Sequence, residues 1–596
     1  MKRRWLLPAA LAVIVGCTHP QARLQSEDDG DRERDVSAEV KTIGDLTEVA
    51  DVNAIPVIGI GLVTQLDGTG GGVPPGPERT TLEEALRKRG CENIKELFGS
   101  KTTSLVRIAA SIPPGAKKGD PIDLFLSVPE NSRTTSLRGG KLEECLLYNF
   151  DSTGRISAAV NPNGAEGRPD QMLRGHALVK CEGPVIAGVS TDAENDDPPS
   201  LKRGVVWGGG RSLKPDGTFT LTINPDQQYA RVAMRIAERI NDTFHAPGAG
   251  AGSGEIATAK HKSYLMLTVP GAYRLNMARY LRVVRLVPLN ETPPSDSEYV
   301  RKLSRQLLDP ATTITAALRL EALGTQSISV LKVGLNSDVP LVRFAAAESL
   351  AYLGSPSCGE ELGKQVAEQP FVQAFALTAL ASLNESVCRV KLQELLSASN
   401  PETRFGAFRA LRARDERDPL VVGEPCGSFT LHRVAPGSAP QVHLATTKKP
   451  EVVLFGDGPK LVAPLTLVVG PEFTLRAEEG KSTCTISRFT TRRGKQTKEC
   501  SLDVGDAIQA LAALGGNFAD AAELLRQADS SRGLNCALKV DALPKAPTVY
   551  DLARAGVKLA GGRNESLSAV SSDIGVTPTL YEKSATPKAA GPTGAE

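Results

Sequence analysis

Four prolines place the strongest constraint on this chain. Pro310, Pro340, Pro370 and Pro401 recur at intervals of 30, 30 and 31 residues. Proline suits the first turn of a helix, where its missing N–H would have had no partner. Fourteen residues after the first three stand Gly324, Gly354 and Asn384, residue types that tolerate the left-handed conformation ending a helix. Between these marks the repeats align: Ala317-Leu318 with Ala347-Glu348 and Leu377-Thr378, then Leu320, Leu350 and Leu380, then Leu323, Leu353 and Leu383. Each unit predicts a helix, a turn and a second helix. One such unit cannot bury its apolar face alone, so residues 298–414 are expected to stack as an all-α solenoid of three units and a partial fourth.

The pattern resembles HEAT-type repeats in a shorter, 30-residue form. Its register also sets an expectation for two cysteines. Cys358 and Cys388 each fall 18 residues after a repeat proline. Packed helix axes lie about 8–10 Å apart, whereas a disulfide needs Cα atoms within about 7 Å. The two are therefore expected not to be bonded to each other.

The sequence on either side has a different texture. Glycine and proline together number 96 of 596 residues, as turns between short strands require. Residues 41–290 read as β-rich, with strands at 104–112, 121–128, 141–148, 176–189 and 218–223. Val57 to Val63 reads as a strand whose glycines permit close packing. Thr81 to Arg89 fits a short helix, with Thr81 and Glu84 as a capping box and Gly90 as the stop. Residues 226–242 carry a helix period through Ala230, Ala233, Met234, Ala237 and Ile240. A second β-rich stretch, 420–542, predicts strands near 440–445, 451–455, 461–469, 483–489 and 536–540, with helices near 504–513 and 518–528. The fold class is α+β, with the helical block as an insertion between β-rich parts. Glu291–Ser297 and Asp415–Gly427 read as polar, proline-containing linkers, so the block is expected to leave the β-rich core whole. Residues 543–596 read as a loosely ordered tail.

The N-terminus carries an address. Lys2, Arg3 and Arg4 precede an apolar run, Trp5–Val15, that is too short to span a bilayer and suits a signal peptide. It ends in Ile14-Val15-Gly16-Cys17, a lipobox-like pattern in which Cys17 would be acylated and become the new N-terminus. Several acyl chains on one residue anchor firmly. An outer-membrane anchor facing the periplasm is expected, with residues 18–40 as a flexible tether. Export makes disulfides permissible. Ten cysteines less Cys17 leave nine, an odd number, so at least one stays unpaired within the chain. The disulfide candidates are Cys145 with Cys181, and Cys426, Cys484, Cys500 and Cys536 among themselves.

Chemistry is mostly excluded. The formal charge is +2, about −1 without the leader's basic residues, which rules out a generally basic nucleic-acid binder. Aromatic residues are 4%, too few for base-stacking platforms. The six histidines form no HExxH or paired metal spacing. Gly480-Lys481-Ser482 lacks the first glycine of a phosphate loop, since Leu475 stands there. No GxSxG elbow is present. No cofactor, metal or catalytic residue is expected.

Ile43-Gly44-Asp45-Leu46, the glycine-bearing Val57–Val63, Leu66-Asp67-Gly68-Thr69-Gly70 and Ser136-Leu137-Arg138-Gly139-Gly140 stand in order along the first β-rich part, and on them the β-rich parts resemble the flagellar P-ring protein family. The first three resemble its "IGYGLV…LNGTGD" run. Ala109 to Pro114 and Gly119 to Asp123 follow, and Ser136-Leu137-Arg138-Gly139-Gly140-Lys141-Leu142 is similar to its "SLRGGTL". Ala233, Ile236, Ala237, Ile240 and Asn241 fit its "A…IA..IN" helix, and Ala507 to Gly515 its "ALNALGA" helix. Gly533 to Val540 is loosely similar to its closing strand. The helical block, the lipobox and the tail depart from the family. The resemblance implies a many-subunit periplasmic ring acting as a bushing around the flagellar rod. Its partners would be further copies of the chain, the rod and the L-ring proteins. Leu137, Arg138, Gly139 and Gly140 are the candidate assembly segment; the alternative is a solvated strand-end charge beside a glycine turn. A second reading, of another class, is a lipid-anchored envelope scaffold binding a protein partner through the solenoid.

Overall fold

The computed structural model describes residues 40–544, apart from 51, 152–172, 189–200, 215–216, 245–254, 291, 435–436, 447–448, 471 and 491–493, together with Pro578, Leu580 and Tyr581. The leader with Cys17, the tether up to residue 39 and nearly all of the tail lie outside the described residues.

The first unit opens with β1 (Thr47–Ala50), β2 (Ile55–Thr64), α1 (Pro77–Lys88) and α2 (Ile94–Gly99). Then come β3 (Ser104–Ile112), β4 (Pro121–Ser127), β5 (Lys141–Asp151), β6 (Leu173–Pro184), β7 (Ile186–Ala187) and β8 (Arg203–Ser212). Hydrogen bonding runs β4-β3-β2-β5-β6-β8 and returns from β8 to β4, so these strands close on themselves, with β7 added to β8. Closure leaves few unpaired edges. Val106, Ile108, Leu124, Leu142 and Leu147 fill the interior. Gly59 in β2 lets this packing close: a Cβ there would lie 2.7 Å from Leu147 Cδ2.

A smaller layer follows, with β9 (Thr218–Ile223), α3 (Ala230–Phe244), β10 (Ala257–His261), β11 (Tyr264–Thr268) and α4 (Met277–Leu286). Its sheet order is β1-β9-β11-β10. Helix α3 buries Ala233, Ile236, Ala237 and Ile240. Met234, counted in the predicted apolar face, is exposed instead. The helix expected at 81–89 begins earlier, with Gly76 as cap and Pro77 in the first turn. Thr81 donates its hydroxyl to the Pro77 carbonyl and caps nothing. Gly90 does adopt a left-handed φ of 80° after the helix. Among strands, 104–112 and 218–223 stand as expected, whereas 176–189 is broken at Val185 into β6 and β7.

The helical block comprises α5 (Glu298–Leu308), α6 (Thr313–Ala322), α7 (Ile328–Gly334), α8 (Pro340–Tyr352), α9 (Gly359–Glu368), α10 (Gln373–Ser382), α11 (Ser386–Leu395) and α12 (Pro401–Arg414). Helices α6, α8, α10 and α12 pack in succession as an inner layer, and α5 with α7 and α9 with α11 lie outside it. Every residue of α10 from Gln373 to Ala381 is buried, which accounts for its lack of a polar face. Pro340 and Pro401 are first residues of their helices, while α6 starts three residues after Pro310. Gly324 and Gly354 take the expected left-handed φ, at 79° and 77°. Asn384 does not: α10 ends at Leu383 with φ −90°. There Arg414 supplies the donors, to the Leu380 and Leu383 carbonyls and to Asn384 Oδ1.

The last unit holds β12 (Gly423–Cys426), β13 (Phe429–Val434), β14 (Gln441–Ala445), β15 (Glu451–Phe455), β16 (Leu465–Val469), β17 (Phe473–Ala477), β18 (Thr483–Thr490), β19 (Gly494–Ser501), α13 (Val504–Ala513), α14 (Phe518–Ser530) and β20 (Ala537–Val540). They form sheets of order β12-β13-β15-β14-β20 and β16-β17-β18-β19. Both sheets and both helices share one core, including Leu454, Leu467, Ile508 and Leu525.

One hydrophobic cluster runs from Ile43 and Phe219 through the helical block to Val453 and Phe455. The interior of the closed sheet and the main core of the last unit lie outside this cluster, but the block shares it with the β1-β9-β11-β10 layer and one face of the β12–β15 sheet, so those two parts are not independent of the block as expected. The supposed linker after α12 holds the fully buried Val421, and Asp418 within it pairs with Arg389 of α11. Apolar side chains at the two seams join the units because each would otherwise stay in water.

Candidate assembly segment and the junctions between units

Residues 136–140 form a tight turn before β5. Ser136 Oγ accepts from the Arg138 N–H at 3.1 Å, and the Gly140 N–H donates to the Leu137 carbonyl at 3.2 Å. Gly139 has φ 75°, a left-handed value that other residues adopt only with strain. At Gly140 a Cβ would lie 2.5 Å from Val63 Cγ1. Leu137 is fully buried. Each glycine thus has its own steric reason.

Arg138 points across to the last unit. Its guanidinium meets Asp520 Oδ1 at 2.6 Å and Glu523 Oε2 at 3.0 Å, both on α14. It lies over Gly470, where a Cβ would be 2.8 Å from the Arg138 NH2 group. Burial works against its charge, yet Asp520 and Glu523 outweigh this and hold its pKa above the ordinary value. Asp520 also caps its own helix, accepting from the Asn517 N–H at 2.9 Å. The side chain expected at an assembly surface or in solvent is therefore occupied within its own chain.

A second junction joins α4 to the helical block. Arg279 reaches Glu321 Oε2 and Glu348 Oε2, each at 2.6 Å, and donates to Ser349 Oγ at 2.9 Å. Tyr273 donates to Glu321 Oε1 at 2.7 Å and stacks on Tyr352 at 4.8 Å between centroids. Burial raises the Glu348 carboxyl above its usual range, against the pull of Arg279. None of these groups was singled out from sequence. One signal was available: Glu348 sits in the repeat column otherwise held by Leu318 and Thr378.

A third junction sets α12 against the β12–β15 sheet. His443 is fully buried, with its ring 3.6 Å from that of Phe405. Burial, assisted by Arg409, pushes its pKa down to about 3. Arg412 pairs with Glu451. Tyr581, from the tail, is buried here and donates to the Gly406 carbonyl at 2.9 Å.

The cysteines fall into place beside these junctions. In this structure no bond joins any two of the nine described cysteines. Cys145 stands directly opposite Cys181 on β5 and β6. Cys484 and Cys500 are opposed on β18 and β19, with sulfurs 3.4 Å apart. Cys426 and Cys536 have their thiols raised by burial, not by another cysteine. Cys358 and Cys388, expected not to be bonded to each other, influence each other electrostatically, Cys358 raised and Cys388 lowered, while the Cys358 thiol donates to the Ser355 carbonyl at 3.1 Å. Glycine lets their helices close in. A Cβ on Gly359 would lie 2.7 Å from Val387 Cγ1, and one on Gly363 3.0 Å from Lys391 Cδ. Helix α9 therefore approaches α11 more closely than side chains ordinarily allow. Among the described residues no group of His, Cys, Asp and Glu could hold a metal ion, and no helix is long and apolar enough to cross a membrane.

These features define an α+β chain of several units, whose buried ion pairs and aromatic stacks tie one unit to the next. Residues 42–296 match the family model of the flagellar P-ring protein. Flagellar P-ring proteins of Thermotoga petrophila and Escherichia fergusonii are similar to this chain. The first is 28% identical over 241 residues, covering 40% of this chain and 64% of that protein. The second is 29% identical over 268 residues, covering 43% and 63%. The chain thus spans less than two thirds of the length of these curated relatives.

Proposed function

We propose that this chain is a structural subunit of the flagellar basal body, one of many copies in a P-ring-like periplasmic ring that serves as a bushing around the rod. The observation that carries this is the family match over residues 42–296. A bushing must resist torque without deforming, and buried ion pairs between its units would suit a rigid subunit. No turnover and no cofactor belong to this role. The test is purification of basal bodies from the source cell, followed by electron microscopy with an antibody to this chain. Labelling of a ring around the rod supports the proposal. Recovery in the envelope apart from flagellar parts would favour a lipid-anchored scaffold that binds a protein through the helical block.

The anchor is proposed separately. Acylation of Cys17 would tie the subunit to the outer membrane. Mass spectrometry of the mature N-terminus should find an acylated Cys17, lost in Cys17→Ser. An unacylated wild-type terminus cleaved elsewhere would remove the anchor from the model of function.

A further inference from the structure

We propose that three intrachain disulfides staple this protein, Cys145–Cys181, Cys358–Cys388 and Cys484–Cys500, one in each of its successive units. The six residues come from six different elements or their caps, yet meet in pairs. Cysteines scattered at random through buried positions would not pair so completely. Two of the pairs are directly opposed on antiparallel strands. Such positions hold Cα atoms about 4.5–5.5 Å apart, inside the range a disulfide spans. The third pair bridges neighbouring repeats. Gly359, next to Cys358, sets the two thiols on one seam: a Cβ there would lie 3.6 Å from Cys388 Sγ. The assignment leaves Cys91, Cys426 and Cys536 as thiols, consistent with an odd total of nine.

The chemistry is thiol–disulfide exchange with a disulfide-bearing oxidant. One protein thiolate attacks a sulfur of the oxidant, breaking its S–S bond and releasing one thiolate. The second protein thiolate then displaces the other half of the oxidant from the mixed disulfide. Two protons leave the protein thiols, the protein pair is oxidised by two electrons, and the oxidant is reduced to two thiols. Cys358 and Cys388 are fully buried in the folded chain. Their bridge must form before the helices close over it, and once closed it is shielded from reductants.

The inference does not depend on the flagellar reading, and its test can be made on purified protein. The full mature chain is denatured, reduced, refolded in a buffer of reduced and oxidised glutathione, alkylated and digested without further reduction. Linked peptides for all three pairs are expected, with Cys91, Cys426 and Cys536 alkylated. Recovery of any of the six as an alkylated thiol, or linked to a different cysteine, overturns the assignment. Should refolding fail, the same map is made on protein taken from the source cells and alkylated at harvest, with the same outcomes deciding it.

Discussion

Burying Arg279 beside Glu321 and Glu348 removes three charged groups from water at once, so the site tolerates the loss of any one poorly. Arg279→Met would strand two carboxylates at the α4 junction. A loss of about 3–5 kcal/mol is expected in urea unfolding. Glu348→Gln should behave differently. The native carboxyl has a raised pKa, so the unfolded chain ionises first as pH rises. Wild-type stability from this group is full below about pH 4.5 and declines as pH rises toward the native value. The variant lacks that decline and should gain on the wild type over the same range. His443 acts at the other end of the scale. Its native pKa of about 3 lies below the ordinary 6.5, so the unfolded chain takes the proton first as pH falls. Stability should drop from about pH 6.5 to pH 3, by up to about 1.4 kcal/mol per pH unit. Unfolding midpoints across that range would detect it, and His443→Leu should flatten the slope.

Helices and strands were legible where their own side chains carried the pattern. Residues 104–112 alternate and 452–455 are a solid apolar run, and both stand within strands. Helix α13 matches its expected bounds, with Asp503 capping the Gly505 and Asp506 N–H groups. Strand β8 was hidden because Gly208-Gly209-Gly210 interrupts any alternation, and β19, mostly polar at the edge of its sheet, has no apolar face to read. Arg138 was picked out as part of a motif, but its partners lie more than 380 residues further on, where no local pattern can point. The close approach of α9 and α11 was missed because a generic helix spacing was applied to a face made of Gly359 and Gly363. Gly359→Val tests that face. Overpacking should cost about 1–3 kcal/mol, read as a lower unfolding midpoint, and should part Cys358 from Cys388 enough to leave both open to alkylation in the unbridged chain after mild denaturant.

At the scale of the whole molecule, the continuous core reverses the expectation for removing the helical block. Joining Asn290 to Leu420 through a short Gly/Ser linker would strip Tyr273 of Tyr352 on one side, and His443 and Phe455 of Phe405 and Phe408 on the other. That variant should melt without a cooperative transition or aggregate, as followed by calorimetry and light scattering. A sharp melt and a monodisperse product would show that the β-rich parts stand alone. The division between β and helical texture was plain in the sequence because composition and period change together at its boundaries. That the helical block would share an interior with the β1-β9-β11-β10 layer and one face of the β12–β15 sheet was not, since burial between distant segments leaves no local trace.

The seat of Tyr581 also governs time. Its hydroxyl meets the carbonyl of Gly406, a residue made 175 positions earlier. Whatever threads the chain, N-terminus first, must deliver it past Tyr581 before that contact can form. Until then the Gly406 carbonyl and the neighbouring Arg409 guanidinium lack the phenol that covers them. Completion of the α12 junction is therefore a late event in biogenesis, and a chain cut short before residue 578 would wait indefinitely with that seam ajar, a natural point for quality-control proteases to grip.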